Sequence, residues 1–172
     1  MVTNNFSPEA IKLANDLLTK FFQMNLDCDN IAYALDTYLN CPKASEIYHQ
    51  KFAHLWPSDE FADNWSAILV DEGVKPHRGP LTTEDREFDN IVTAFEDNYR
   101  NTERLKADIL SAIEFYDYDK EYKVLVIELE EMSRKVSKLV HQCDIWRTKA
   151  KEYFNDGKTY KFDIDFEEFT II

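Results

Sequence analysis

The chain has 172 residues, 44% hydrophobic and 31% charged, which excludes a disordered polymer and suits one domain with a buried core. Its 33 acidic and 20 basic residues leave a formal net charge of −13 with no segregated basic patch, which argues against nucleic acid and for cations as ligands. Only three glycines occur, so a phosphate-cradling loop is excluded and long helices are favoured over many tight turns.

The opening MVTNNFSPEAIK lacks a basic segment followed by an apolar one, so no signal peptide is expected. No apolar run is long enough to cross a bilayer, and the expectation is a cytoplasmic protein with no membrane partner. Ser7-Pro8-Glu9 reads as a helix start, with Ser7 as cap, Pro8 at the first helical position and Glu9 at the positive end of the dipole. Ile11, Ala14, Leu17, Leu18, Phe21 and Phe22, then Ile31, Leu35, Tyr38 and Leu39, continue it at helical spacing up to Cys41-Pro42, with a loosening around Asp27 to Asn30.

A second helix starts near Ser45 and is interrupted at Pro57, where Ser58 can cap a restart. Gly73, Pro76, Gly79 and Pro80 make a loop. The third helix carries an unbroken apolar face from Phe88 to Tyr116, and the fourth runs from Leu125 to Tyr153 until Asn155-Asp156-Gly157 stops it. Four long helices with short connections predict an all-α, up-and-down four-helix bundle over residues 1–157.

Residues 158–172 change period. Tyr160, Phe162, Ile164 and Phe166 alternate with charged residues, which predicts a short extended C-terminal tail. That acidic, aromatic tail either lies on its own bundle or docks on a neighbouring subunit or a protein partner.

Cys28, Cys41 and Cys143 are odd in number and widely spaced, which gives no disulfide framework and no metal-binding pair; they read as small buried hydrophobes. No HExxH and no nucleophile elbow is present. The scarce residues are His49, His54, His77 and His141. Glu46 and His49 form a Glu-x-x-His, the half-motif of a di-iron bundle, but Lys138 stands where a second glutamate would precede His141. At about 1.5 Å of rise per residue, His49 and Asp63 stand too far apart to share a metal within one chain, though a symmetric dimer brings such halves together. His54 is an alternative ligand or an exposed helix residue, and His77 lies in the loop.

From Tyr38 to about Trp146 the chain resembles the mini-ferritins of the Dps family, the DNA-binding proteins from starved cells. Tyr38-Leu39-Asn40 stands where that family reads His-Trp-Asn, and His49-Gln50-Lys51-Phe52 is similar to its His-x-x-Phe. DNWSAILVDEGVKP (residues 63–76) resembles its run from aspartate to Gly-x-x-Pro, and NIVTAFEDNYR (residues 90–100) the start of its third long helix. The resemblance implies a ferritin-like bundle that assembles as a homo-oligomer, a cage or a dimer, oxidising and storing iron at a site shared between subunits. It places His49 on one metal-binding histidine and Asp63 on the aspartate; Tyr38 stands at the other histidine and Ala67 at the glutamate. Asp59 and Asp71, on either side of Ala67 in sequence, stand as substitutes. The link from Pro76 to Phe88 leaves little room for the small helix of the family's two-fold interface, and the lysine-rich N-terminal arm is absent.

The expected function is therefore iron binding and storage with a degraded ferroxidase site: His49 and Asp63 as ligands, Tyr38 nearby. Glu114, Asp117, Asp119 and Glu121 are a cation approach route or a solvated connection. The alternative is a catalytically inactive bundle of the same origin, acting as a structural or protein-interaction module.

Overall fold

A computed structural model describes residues 4–172; the first three residues, at the start of the N-terminal segment, lie outside the described residues. The described chain is all-helical, with no strand among the described residues. The α-helices are α1 (Pro8–Asp36), α2 (Pro42–Lys51), α3 (Ala62–Asp71), α4 (Ile91–Tyr116), α5 (Lys123–Asn155) and α6 (Thr159–Asp165). No described helix is long and apolar enough to cross a membrane.

α1 starts as the residues dictate. The Ser7 hydroxyl accepts from the Ala10 N–H at 3.1 Å, and Pro8 supplies no donor that would need a partner. It runs unbroken through Asp27 to Asn30, because Met24, Cys28, Ile31 and Leu35 keep its apolar face continuous. Asn40, in the left-handed conformation (φ 58°), turns the chain into α2.

α2 and α3 form one column broken in the middle. Regular helix ends at Phe52 (φ −124°, ψ −57°), a 3-10 turn covers Ala53–Leu55, and α3 begins only at Ala62. Pro57 cannot donate to a helical ladder, and Phe52, Trp56 and Phe61, all buried, turn into the core across the gap. The column lies antiparallel to α1: the Ser45 hydroxyl donates to the Ala32 carbonyl at 2.6 Å, and Trp65 Nε1–H donates to the Ala14 carbonyl at 2.9 Å.

The segment between α3 and α4 then retraces α1. His77 N–H donates to Asn15 Oδ1, Gly79 N–H to Thr19 Oγ1 and Thr82 N–H to Gln23 Oε1, each at 2.8 Å, and Phe88 N–H donates to the Tyr38 hydroxyl at 2.9 Å. From residue 77 to residue 88 an extended chain reaches roughly 36 Å, which matches the roughly 35 Å of helix between residues 15 and 38. The link is therefore a crossover, and α4 starts at the C-terminal end of α1. Asn90 caps α4 in a capping box with Thr93, and Tyr116 at its far end donates to the Ala10 carbonyl at 2.6 Å.

α5 returns from Tyr122, beside Ser7, toward Trp146, whose ring packs with Tyr48 and Phe95. The columns thus run up, down, down, up. Strict alternation, expected from short connections, does not occur, because the crossover makes the second and third columns parallel.

The C-terminal tail is helical, not extended. Phe162, Phe166 and Phe169 recur at helical spacing and are buried against α2, α4 and α5, with Phe166 stacked on Trp146 at 5.2 Å between centroids. Tyr160 and Ile164, which share a face with Phe162 and Phe166 only in a strand, are 65% and 57% exposed. Asp163 Oδ1 accepts from the Ala44 N–H at 2.7 Å, closing an open donor in the first turn of α2. Residues 158–172 thus pack into the same core as the bundle.

Candidate functional site: the groove between α1 and α2

His49 projects from the last turn of α2 toward α1, where its Nε2 lies 3.3 Å from Asp29 Oδ1. At that distance the contact is longer than a good charge-assisted hydrogen bond, and Asp29 Oδ1 itself is shielded from solvent although the side chain as a whole is 21% exposed. The ring of His54 packs edge-on to that of His49, with centroids 4.3 Å apart and planes at 73°. In a continuous helix residues 49 and 54 would point about 140° apart. The break at Phe52 is what lets the two rings meet.

Burial raises the Asp29 carboxyl above its ordinary range, offset in part by the adjoining imidazoles of His49 and His54. Beside this cluster opens a groove of about 400 Å³ lined by Ala32, Tyr33, Asp36, Ser45, Glu46 and His49. Its acidic rim and exposed Tyr33 suit a cation better than an anion.

The other candidate ligands are dispersed. Asp63 is exposed on the first turn of α3, beyond the break and roughly 20 Å down the column from His49. Tyr38 spends its hydroxyl on the Phe88 N–H at the end of the crossover. Ala67 is exposed on α3 and offers no donor atom. Asp59 and Asp71 are exposed on either side of it. Glu114, Asp117 and Glu121 are exposed around the α4–α5 turn, and Asp119 caps that turn by accepting from the Glu121 N–H at 3.0 Å. Among the described residues no three His, Cys, Asp or Glu side chains are grouped so as to hold a metal ion as they stand. One chain alone therefore does not present a finished site.

Two further polar places were not foreseen from the residues. In the core, the Tyr48 hydroxyl donates to Asn98 Oδ1 at 2.7 Å, and the Asn98 amide donates to Cys143 Sγ at 3.2 Å. The Cys143 thiol in turn donates to Thr102 Oγ1 at 3.6 Å. Burial pushes the Cys143 thiol up to about 12 and the Cys28 thiol well up. These thiols are protonated hydrogen-bonding groups, not nucleophiles. Between α1, α4 and the crossover lies a hollow of about 210 Å³ lined by Gln23, Asp27, Thr82, Arg86, Asn101 and Arg104, where Arg86 pairs with Asp97.

Asp29 was missed because the polar stretch Asp27 to Asn30 reads as a weakness in α1. Acidic residues interrupting an apolar helix opposite a histidine-bearing helix are the signal that points to it. Compared with models of known protein families and with curated proteins, the chain matches none.

Proposed function

We propose that this chain is a ferritin-like bundle of the mini-ferritin type, which binds ferrous iron as cargo at the α1–α2 groove around His49 and works as a homo-oligomer. The carrying observation is the meeting of His49 with His54 and the half-buried Asp29 beside an open groove that His49 lines. The column order supports the scaffold: up, down, down, up with one long crossover is the ferritin-like arrangement of four helices. In this reading Asp63 of a neighbouring copy reaches the groove and completes the site, as inter-subunit sites require. Two positions that mini-ferritins use as ligands hold Tyr38 and Ala67, so binding, not fast oxidation, is the proposed activity. Neither residue replaces an imidazole or a carboxylate as a ligand for ferrous iron.

The test is aerobic titration of the purified protein with ferrous iron, followed by size-exclusion chromatography with detection of protein-bound ferric iron. Iron is expected to co-elute with an oligomer, and His49→Ala is expected to lose most of it. Equal retention by His49→Ala overturns the assignment.

A second reading is favoured by one observation, the engagement of Tyr38 with the crossover. On that reading the chain is a catalytically inactive bundle serving as a structural or interaction module. Iron then elutes free of the protein, in wild type and variant alike.

A further inference from the structure

The approach of His49 Nε2 to Asp29 Oδ1 is odd as an ion pair and apt as something else. A charge-assisted hydrogen bond is expected at about 2.7–2.9 Å and in line with the N–H. Here the atoms stand 3.3 Å apart, and this one oxygen of a carboxylate that is otherwise 21% exposed is itself buried with no partner of good hydrogen-bond geometry. Leaving a buried acceptor without a partner is costly, so the arrangement is expected to have one in the working protein. Two donors bound at about 2.0–2.1 Å to a tetrahedral metal ion are about 3.3–3.4 Å apart. Asp29 and His49 therefore already stand at the spacing that a shared metal ion imposes, without moving either.

His54 supplies the third donor. It sits exposed on the 3-10 turn after the helix break, against the His49 ring. As they stand the three residues do not form a metal-holding group, so the site requires the His54 side chain to rotate and turn a ring nitrogen toward the Asp29–His49 pair. The break in the second column thereby acquires a purpose: it brings residues 49 and 54 to one point, which a continuous helix forbids.

We propose that Asp29, His49 and His54 of a single chain bind a divalent first-row transition-metal ion, closed by rotation of the His54 ring. Two imidazoles and one carboxylate suit such an ion, and His49 also lines the open groove beside the cluster. The inference deepens the proposed function, since both use His49, but it draws its ligands from one chain.

The experiment is titration of the full-length protein with Co(II), read by the visible absorption of the bound ion. Wild type is expected to bind one Co(II) per chain. Asp29→Asn and His54→Ala are each expected to weaken binding by more than about tenfold, while replacing the exposed His141, as His141→Ala, leaves it unchanged. His54 is exposed and Asp29→Asn preserves shape, and far-ultraviolet circular dichroism verifies that both variants fold. Wild-type affinity in both variants overturns the inference. Loss in Asp63→Ala with retention in His54→Ala also overturns it, and leaves the inter-subunit iron reading standing. Failure of the wild type to take up Co(II) while iron still co-elutes sinks this inference alone; failure of both uptakes sinks both.

Discussion

Asp27 and Asp29 stand two residues apart on α1 and face different surroundings. Asp29 meets the imidazoles of α2, whereas Asp27 faces α4 under the crossover. Burial raises the Asp27 carboxyl from its ordinary 3.8, with the Gln23 hydrogen bond and Arg86 opposing. A raised carboxyl means that the folded state holds its proton more tightly than the unfolded chain does. The stability it contributes is complete below pH 3.8 and is lost as pH rises through the folded value, so at neutral pH its ionised form is a net cost. Asp27→Asn keeps the acceptor for Gln23 and removes the charge. It is expected to raise stability at pH 7 and to have no effect near pH 3, as read by urea unfolding at both values. A variant destabilised at pH 7 would mean that the attraction of Arg86 and Arg104 outweighs burial.

The last helix separates two readings of one stretch of chain. Over seven residues, alternation and helical spacing both fit Phe162 and Phe166, because the window is too short for the periods to diverge. Phe169 decides for the helix: it follows Phe162 at seven residues and shares its burial, while Ile164 is left in water. Phe166→Ala is expected to cost about 3–5 kcal/mol in chemical unfolding, since it empties a site stacked on Trp146. Ile164→Ala should stay within about 0.5 kcal/mol. A strand would put Ile164 and Phe166 on one face and make the two costs comparable.

The same contrast explains what was legible. The start of α1 and the stop of α5 could be read from Ser7-Pro8 and Gly157, since caps act through neighbours in sequence. The crossover could not, because its register rests on Asn15, Thr19 and Gln23, some sixty residues away. His49 stood out as a scarce residue on an apolar-faced helix. Asp29 did not, because it comes from a different helix, and the meeting of His54 with His49 could not be read, because it depends on where α2 breaks.

At the scale of the whole molecule, charge outweighs any single contact. A net −13 on a chain this size opposes compaction, because most of its ion pairs are exposed and contribute little each. Any homo-oligomer would set several such charges side by side and sharpen the repulsion. Salt shortens the reach of that repulsion from about 30 Å at 0.01 M to under 10 Å at physiological strength. If relief amounts to about 1 kcal/mol, the melting temperature should rise by about 2–4 °C between low salt and about 0.3 M sodium chloride. The elution volume should shift toward larger assemblies over the same range. A melting temperature that falls with salt would show attraction winning, with pairs such as Lys135–Glu60 (2.9 Å) and Arg147–Glu96 (3.5 Å) holding columns together. The sign of that shift bears directly on function, because repulsion that monovalent salt relieves is repulsion that a bound divalent cation relieves more strongly, so cargo and assembly would favour each other.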